Sequence, residues 1–341
     1  MKSNSNRKVL IFGAGGYIGP VVTEHLLGLG YKVRAFDLFL FHTQTVLEGF
    51  SDNPDFDLVT GDHCDGALVE AALGGVTDVV ILSGLVGDPI TKKYPEASKA
   101  INDDGMLALI DRLKGRGLDR VIFVSTCSNY GLIQDGELAN EDFDLNPLSL
   151  YAKAKVAMET ALLGLKGKVD FHPTVLRFAT AFGLAPRMRF DLTVSQFTRE
   201  MHLENDLLVY DAETWRPYCH VRDFGEVIAR VLAAPAEDVT FEVFNAGGDV
   251  NNFTKQMIVD AILEFLPKAK VAYQEHGSDP RNYRVDFAKI RKRLDFEPRF
   301  TVRDGISELI AAFKEKQFAE VDKNPNFHGN YEIDYTVANK Q

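Results

Sequence analysis

Directly after a short apolar run, Val9 to Phe12, the chain reads Gly13-Ala14-Gly15-Gly16-Tyr17-Ile18-Gly19. Glycines at that spacing let a strand turn sharply into a helix and let a pyrophosphate approach the backbone. They also aim the unpaired N–H groups of the helix start at its charge. The spacing is GxxGxxG, at 13, 16 and 19; a GxGxxG form would need glycine where Ile18 stands. Such a loop carries meaning only inside a βαβ unit, and the sequence that follows reads as one. Short β-rich runs, Val9 to Phe12, Lys32 to Phe36, Asp57 to Thr60, Val79 to Leu82 and Val121 to Val124, alternate with longer helical stretches. VLIF, VVIL and VIFV are apolar at successive positions, as parallel strands covered on both faces must be. The expected class is α/β, built on a doubly wound parallel sheet.

With 341 residues the chain has room for two domains. Beyond Arg177 the rhythm loosens into helices near 222–234, 254–266 and 301–316 and a strand at 241–245. These predict a Rossmann domain over 1–182 plus about 217–252. A smaller mixed α/β substrate lobe is expected over about 183–216 plus 253–318, with a C-terminal tail or arm over 319–341. Acidic residues outnumber basic ones, 49 to 38, for a net charge of −11, and no basic block stands ready to neutralise phosphates, so nucleic acid is not an expected partner. Cys64, Cys127 and Cys219 form no CxxC pair, which argues against a disulfide framework or a zinc site and fits the cytoplasm. No segment approaches the roughly 18 apolar residues of a membrane span, and no signal peptide is expected.

Asp37 ends the second strand, 24 residues after Gly13. A carboxylate there accepts hydrogen bonds from an adenosine ribose and repels a 2′-phosphate, and no arginine follows it in DLFLF, so NAD is expected over NADP. Gly13, Gly16, Tyr17, Ile18 and Gly19 are the expected loop contacts. Asp62 and His63 in TGDHCD, and Leu82, Ser83 and Gly84 at the end of the fourth strand, stand where adenine and ribose would lie. Tyr151 and Lys155 are four residues apart on a helical stretch and so share one face. An ammonium about 5 Å from a phenol lowers its pKa by about two units at an effective dielectric near 20, which would suit Tyr151 to act as a base. Thr126, at the carboxyl end of the fifth strand, can orient the same substrate oxygen.

GxxGxxG, Asp37, Asn102 in INDDG, FVSTCSNYG, YAKAK and VLRFATAFG occur in the order seen in extended short-chain dehydrogenases/reductases. The chain resembles their NAD-dependent nucleotide-sugar epimerase/dehydratase group from about residue 7 to 316. The resemblance implies Tyr151 as base, Lys155 on the nicotinamide ribose and on the tyrosine's pKa, and Thr126 on a sugar hydroxyl, with Asn102 on the cofactor side supporting the active-site strand or a water relay, a helix cap being the alternative. It further implies Arg216 and Arg281 on the diphosphate, Arg187 and Arg189 in PRMR on nucleotide or sugar, and Cys127, Ser128 and Thr180 beside the substrate. His220 is expected to be structural, no metal is expected, and a homodimer would form through helices near 95–114 and 148–164. PRMRFDLTVSQFT and HVRD are most similar to enzymes acting on GDP-linked heptoses, including a GDP-heptose 4-dehydrogenase. Two departures matter. Cys127 and Ser128 stand where dehydratases place an Asp-Glu pair, and Thr180 stands where many relatives carry an Asn that touches the diphosphate. A 4-epimerase is therefore the expected activity. A 4-dehydrogenase or 4-ketoreductase needs the same residues, and a 3- or 5-epimerase using Cys127 or a non-catalytic NAD sensor are the remaining alternatives.

Overall fold

The computed structural model describes residues 4–134, 136–277, 279 and 281–337. Its strands are β1 (Lys8–Phe12), β2 (Lys32–Asp37), β3 (Phe56–Thr60), β4 (Asp78–Ile81), β5 (Arg120–Thr126), β6 (His172–Phe178), β7 (Thr180–Phe182), β8 (Leu207–Tyr210), β9 (Trp215–His220), β10 (Glu242–Ala246), β11 (Asn252–Thr254) and β12 (Val271–Gln274). Seven form one parallel sheet in the order β10-β6-β5-β4-β1-β2-β3. Successive residues of each inner strand enter opposite cores. Val9, Ile11, Val80, Ile122 and Val124 face one helical layer, and Leu10, Phe12, Val79, Ile81, Val121 and Phe123 face the other. This explains why those runs are apolar throughout. Truncating a side chain as deeply buried as Phe12 or Phe123 to Ala should cost about 3–5 kcal/mol. Because β1 lies between β2 and β4, the winding reverses there, and a crevice opens beyond the carboxyl ends of β1 and β4.

The five strand expectations between residues 9 and 124 fall on β1 to β5 within two residues at either end. β6 escaped the sequence reading because Pro173 speaks against a central strand. It is accommodated because its carbonyl accepts the Phe241 amide at 2.7 Å, just where β10 begins. β7, β8, β11 and β12 were also unforeseen, and of β9 only its end, at YCHVRD, was read as strand. They are three to six residues long and pair only with distant segments, β11-β9-β7 in one small sheet and β12 with β8 in another. Phe182, Val194, Val209, Tyr218, Ile258 and Ile306 form the separate core beneath them. Its last helix, Val302–Lys314, opens with a capping box between Thr301 and Asp304. Beyond that helix the chain does not trail away. Val321 and Phe318 pack with Met188, Phe190 and Tyr17, and the chain then returns to the large sheet, where the Tyr335 hydroxyl donates to Asp62 Oδ2 at 2.8 Å.

Candidate active site

The glycine loop leads from β1 into the helix Gly19–Gly28, whose N-cap, Ile18, contributes no side-chain hydrogen bond, leaving the first N–H groups of the helix for a ligand. Two glycines are required by the protein itself. Gly13 has φ +85°, and a Cβ there would lie 2.6 Å from the Ser83 nitrogen; a Cβ at Gly19 would collide with the Ala14 carbonyl. Gly16 differs, since its Cβ would meet nothing nearer than the Gly13 carbonyl at 3.4 Å, so the space beside it is open cleft. Tyr17 and Ile18 line the same cleft, and the Tyr17 hydroxyl donates to the Gly183 carbonyl at 2.5 Å, tying the loop to the small lobe.

Asp37 stands at the tip of β2 and accepts from Gly15 N at 2.7 Å and Phe39 N at 2.6 Å. Burial pushes its carboxyl up, while those two amides and the charge of Arg187 favour the ionised form. The sequence stretch after Asp37 contains no arginine, yet the fold brings Arg187 over the Phe41 ring, 4.6 Å from its centre. Asp62 is held by Cys64 N at 2.8 Å, and the buried His63 donates Nε2–H to the Ile101 carbonyl at 3.0 Å, its pKa lowered by burial. Leu82, Ser83 and Gly84 line the cleft, and Ser83 Oγ is buried without a hydrogen-bond partner. An unpartnered buried hydroxyl, an uncapped helix start and an open glycine cradle in one crevice fit a dinucleotide. Asn102 does not reach the cleft. It lies in the π-helical turn Lys99–Gly105, and its amide brackets Leu85, accepting from N at 2.7 Å and donating to O at 2.9 Å, so it fixes the turn that follows Gly84.

Thr126 ends β5, and its Oγ1 caps the following turn by accepting from Ser128 N at 3.1 Å and lies 2.9 Å from Ser128 Oγ. Both side chains face the cleft, as does Tyr151 on the helix Leu150–Leu163. Cys127 is a correction. Its side chain points into the core, Sγ donates to the Arg177 carbonyl at 3.0 Å, and burial raises its thiol well above the ordinary range, so it cannot serve as acid or base beside a substrate. Lys155 lies one turn behind Tyr151, buried, with Nζ donating to the Val124 carbonyl at 2.8 Å and sitting 5.8 Å from the Tyr151 ring centre. Burial lowers its pKa to about 8, against the opposing pull of Glu159. The phenol of Tyr151 is raised by burial, with Arg189 acting to lower it. The Lys155 ammonium, expected from spacing to lower this phenol, donates its hydrogen bond to the Val124 carbonyl.

The four arginines converge on the cleft from three segments, and Thr180 at the start of β7 joins them. Each is already committed. Arg189 grips Asp191 through two bonds of 2.6 Å. Arg281 grips Asp279 through two of 2.8 Å and pairs with Asp88 at 3.2 Å. Arg216 stacks 5.1 Å from the Tyr283 ring and pairs with Asp279 at 3.2 Å. Arg187 donates to backbone carbonyls of Phe327 and Gly329. Asp88, Asp191 and Asp279 escaped the sequence reading, although Arg-x-Asp at 189–191 and Asp-x-Arg at 279–281 were visible pairs. Also missed was a buried network beneath the site: Glu159 accepts from Ser125 Oγ, Asn129 and Arg177, and Arg177 reaches Tyr130, whose hydroxyl donates to Asn245. It joins β5, β6 and β10 to the helix bearing Tyr151. His220 is buried against Glu308 at 2.6 Å, between the small lobe and its last helix. Among the described residues no group of three His, Cys, Asp or Glu side chains could hold a metal ion, and no helix is long and apolar enough to cross a membrane.

The sequence model of the NAD dependent epimerase/dehydratase family matches residues 9–247. A UDP-glucuronate 4-epimerase of Thermodesulfobacterium geofontis is 26% identical over 318 residues, covering 90% of this chain and 96% of that protein. A dTDP-glucose 4,6-dehydratase of Actinoplanes is also 26% identical, covering 90% of this chain and 98% of that protein. The crystal structure of a UDP-glucuronic acid 4-epimerase from Bacillus cereus, in complex with UDP-glucuronic acid and NAD, superposes with a TM-score of 0.81 at 22% identity, covering 91% of this chain and 99% of that one. The chain belongs to the NAD-dependent epimerase/dehydratase family of extended short-chain dehydrogenases/reductases, enzymes whose cofactor is NAD.

Proposed function

We propose that this family member oxidises the C4 hydroxyl of a nucleotide-linked sugar to a ketone and returns the hydride to the opposite face, a net 4-epimerisation. The observation that supports it is the arrangement at the end of β5, where Thr126, Ser128 and Tyr151 hydroxyls face one cleft with the Lys155 ammonium one turn behind. NAD, which the Gly13–Gly19 loop and Asp37 would hold, would supply the hydride acceptor and donor. Tyr151 takes the hydroxyl proton as the ketone forms and gives it back on reduction, and Thr126 holds the oxygen in line. Burial holds the phenol protonated, so its use as a base draws on nearby positive charge, with Arg189 and Lys155 the cations at hand. Lys155 would also bind the nicotinamide ribose.

Elimination of water requires a base at C5 and an acid at the departing C6 hydroxyl. The position after Thr126 holds a thiol turned into the core, and the next a serine, so neither role is filled there. Arg216 and Arg281 are the candidate diphosphate ligands, bidentate arginine being suited to that geometry, and Arg187 and Arg189 are candidates for the nucleotide or sugar. Guanosine diphosphate is the first nucleotide to test, on the motifs PRMRFDLTVSQFT and HVRD. Met188, Phe190 and Val194 of the former are interior packing residues that shape the lobe. The buried Cys127 and Cys219, which form no disulfide, suit a cytoplasmic enzyme. Exposed Leu107 and Leu150, on the two helices expected at a dimer interface, suit a homodimer. The test is to incubate the enzyme with GDP-, UDP-, dTDP- and CDP-linked sugars and weigh the products. An isobaric epimer is expected. A product lighter by two hydrogens would assign the dehydrogenase reaction instead, and one lighter by a water would overturn the exclusion of elimination.

A further inference from the structure

The C-terminal segment is bonded to both sides of the cleft. From the small-lobe side, Arg187 donates through Nε to the Phe327 carbonyl at 2.8 Å and through Nη2 to the Gly329 carbonyl at 3.1 Å and Asn330 Oδ1 at 2.8 Å. The Phe190 amide donates to the His328 carbonyl at 2.9 Å. From the sheet side, Asn330 Nδ2 donates to the Val86 carbonyl at 2.8 Å, just beyond β4, and the Tyr335 hydroxyl reaches Asp62 at 2.8 Å, just beyond β3. Asn330 is therefore a bridge: its two amide atoms join the lobe to the sheet across the crevice, and it is only 7% exposed. Asn330 and Tyr331 form part of the cleft wall.

We propose that residues 326–337 are a strap closing the dinucleotide cleft, and that NAD enters and leaves only when this strap lifts. The inference rests on the family's cofactor and not on which sugar reacts. The inner part, through Asn330, is anchored by buried bonds to a guanidinium, whereas the outer part is held by exposed contacts that open readily. Lys93 pairs with Glu332 at 2.9 Å, where both side chains are about half exposed or more. The Asn326 side chain ties the turn, accepting from the Tyr331 and Glu332 amides and donating to the Glu332 carbonyl at 2.8 Å, so residues 326–332 move as one piece. Asp62, expected near adenine from sequence, is engaged by the strap through one oxygen and by Cys64 N through the other. A strap over that carboxylate lies at the end of the cleft where adenine is expected, and Asn330 and Tyr331 line the cleft itself.

The test uses the full-length protein loaded with isotopically labelled NAD, chased with excess unlabelled NAD, and the release rate of the label is read. Asn330→Ala loses the bonds to Arg187 and Val86 together and should speed release about tenfold; Tyr335→Phe keeps the ring, loses only the bond to Asp62, and should speed it about threefold. Release at the wild-type rate in both variants overturns the proposal. A second measurement needs no variant: saturating NAD should slow amide hydrogen exchange across 330–337, and unchanged exchange there overturns it equally. Absence of turnover with every nucleotide sugar would bear on the proposed reaction and leave the strap measurement standing.

Discussion

The cofactor end and the sugar end of this cleft are built on different principles. At the proposed cofactor end the backbone would do most of the binding: a glycine loop with a forced positive φ at Gly13 and an uncapped helix start, flanked by carboxylates at the tips of β2 and β3. At the proposed sugar end side chains would do it: Arg189, Arg216 and Arg281 come from three segments, each held by an aspartate, while Arg187 lies over Phe41 toward Asp37 and is held by the C-terminal segment. A backbone site is fixed by local sequence and cannot vary without losing the turn. A site of paired side chains is preorganised by partners that are themselves replaceable, so specificity can change there while fold and cofactor stay.

The sharpest way to break this contrast lies at the junction of the two ends. Tyr151→Phe should lower turnover by about a hundredfold to ten-thousandfold while bound NAD and melting temperature stay unchanged, because the ring packs identically and only the ionisable oxygen is lost. Loss of NAD content together with activity would make Tyr151 a cofactor-side element instead.

Next in size is Lys155→Met. The folded-state pKa of about 8 lies below the ordinary value of about 10.4, so the unfolded chain binds more protons between those values and stability rises with pH across that window. Below about pH 8 the full penalty of a buried ammonium is present. The variant should therefore be more stable than the wild type at pH 7, by up to about 3 kcal/mol, with the difference vanishing above about pH 10.4, while activity and NAD affinity fall. Chemical unfolding of both proteins across pH 7–11 checks this. Equal stability at pH 7 would mean that the Val124 carbonyl already compensates the charge.

A smaller effect separates the sugar end from the cofactor end. Arg281→Lys keeps the charge but loses the fork that grips Asp279 and reaches Asp88, and should raise KM for the nucleotide sugar about tenfold with NAD affinity unchanged. Equilibrium binding of both ligands to the variant decides it. The smallest effect belongs to Asp37→Ala, which should narrow the preference for NAD over NADP by several-fold, measured by competitive binding. Arg187, stacked on Phe41 near this carboxylate, would then be the one cation near an incoming 2′-phosphate among those whose charge acts on Asp37 from the small lobe.

The same division explains what was legible in the sequence. β1 to β5, the glycine loop, Asp37 and the Tyr151–Lys155 turn are local patterns, set by a period or a short spacing, and the strands among them were legible to within two residues. Pro173 hid β6, whose pairing with β5 and β10 overrides local preference. The orientation of Cys127 was beyond a linear reading, since the residue after Thr126 opens a 3-10 turn that sends its side chain to the core and Ser128 back to the cleft. Spacing placed Lys155 behind Tyr151 but gave no sign that its ammonium would be spent on the Val124 carbonyl. Arg187 could not be matched to Phe327 and Gly329, some 140 residues away, because nothing local records such a partnership.

Hydride transfer through bound NAD is the step on which the proposed epimerisation depends, and running the reaction in D2O tests it most directly. Hydrogen that leaves C4 as hydride and returns from the cofactor never equilibrates with solvent, so the epimer should carry no deuterium on carbon. A product with one deuterium fixed on a ring carbon would show that a C–H bond was broken by proton abstraction, and would contradict the roles of Tyr151 as hydroxyl base and Thr126 as its partner.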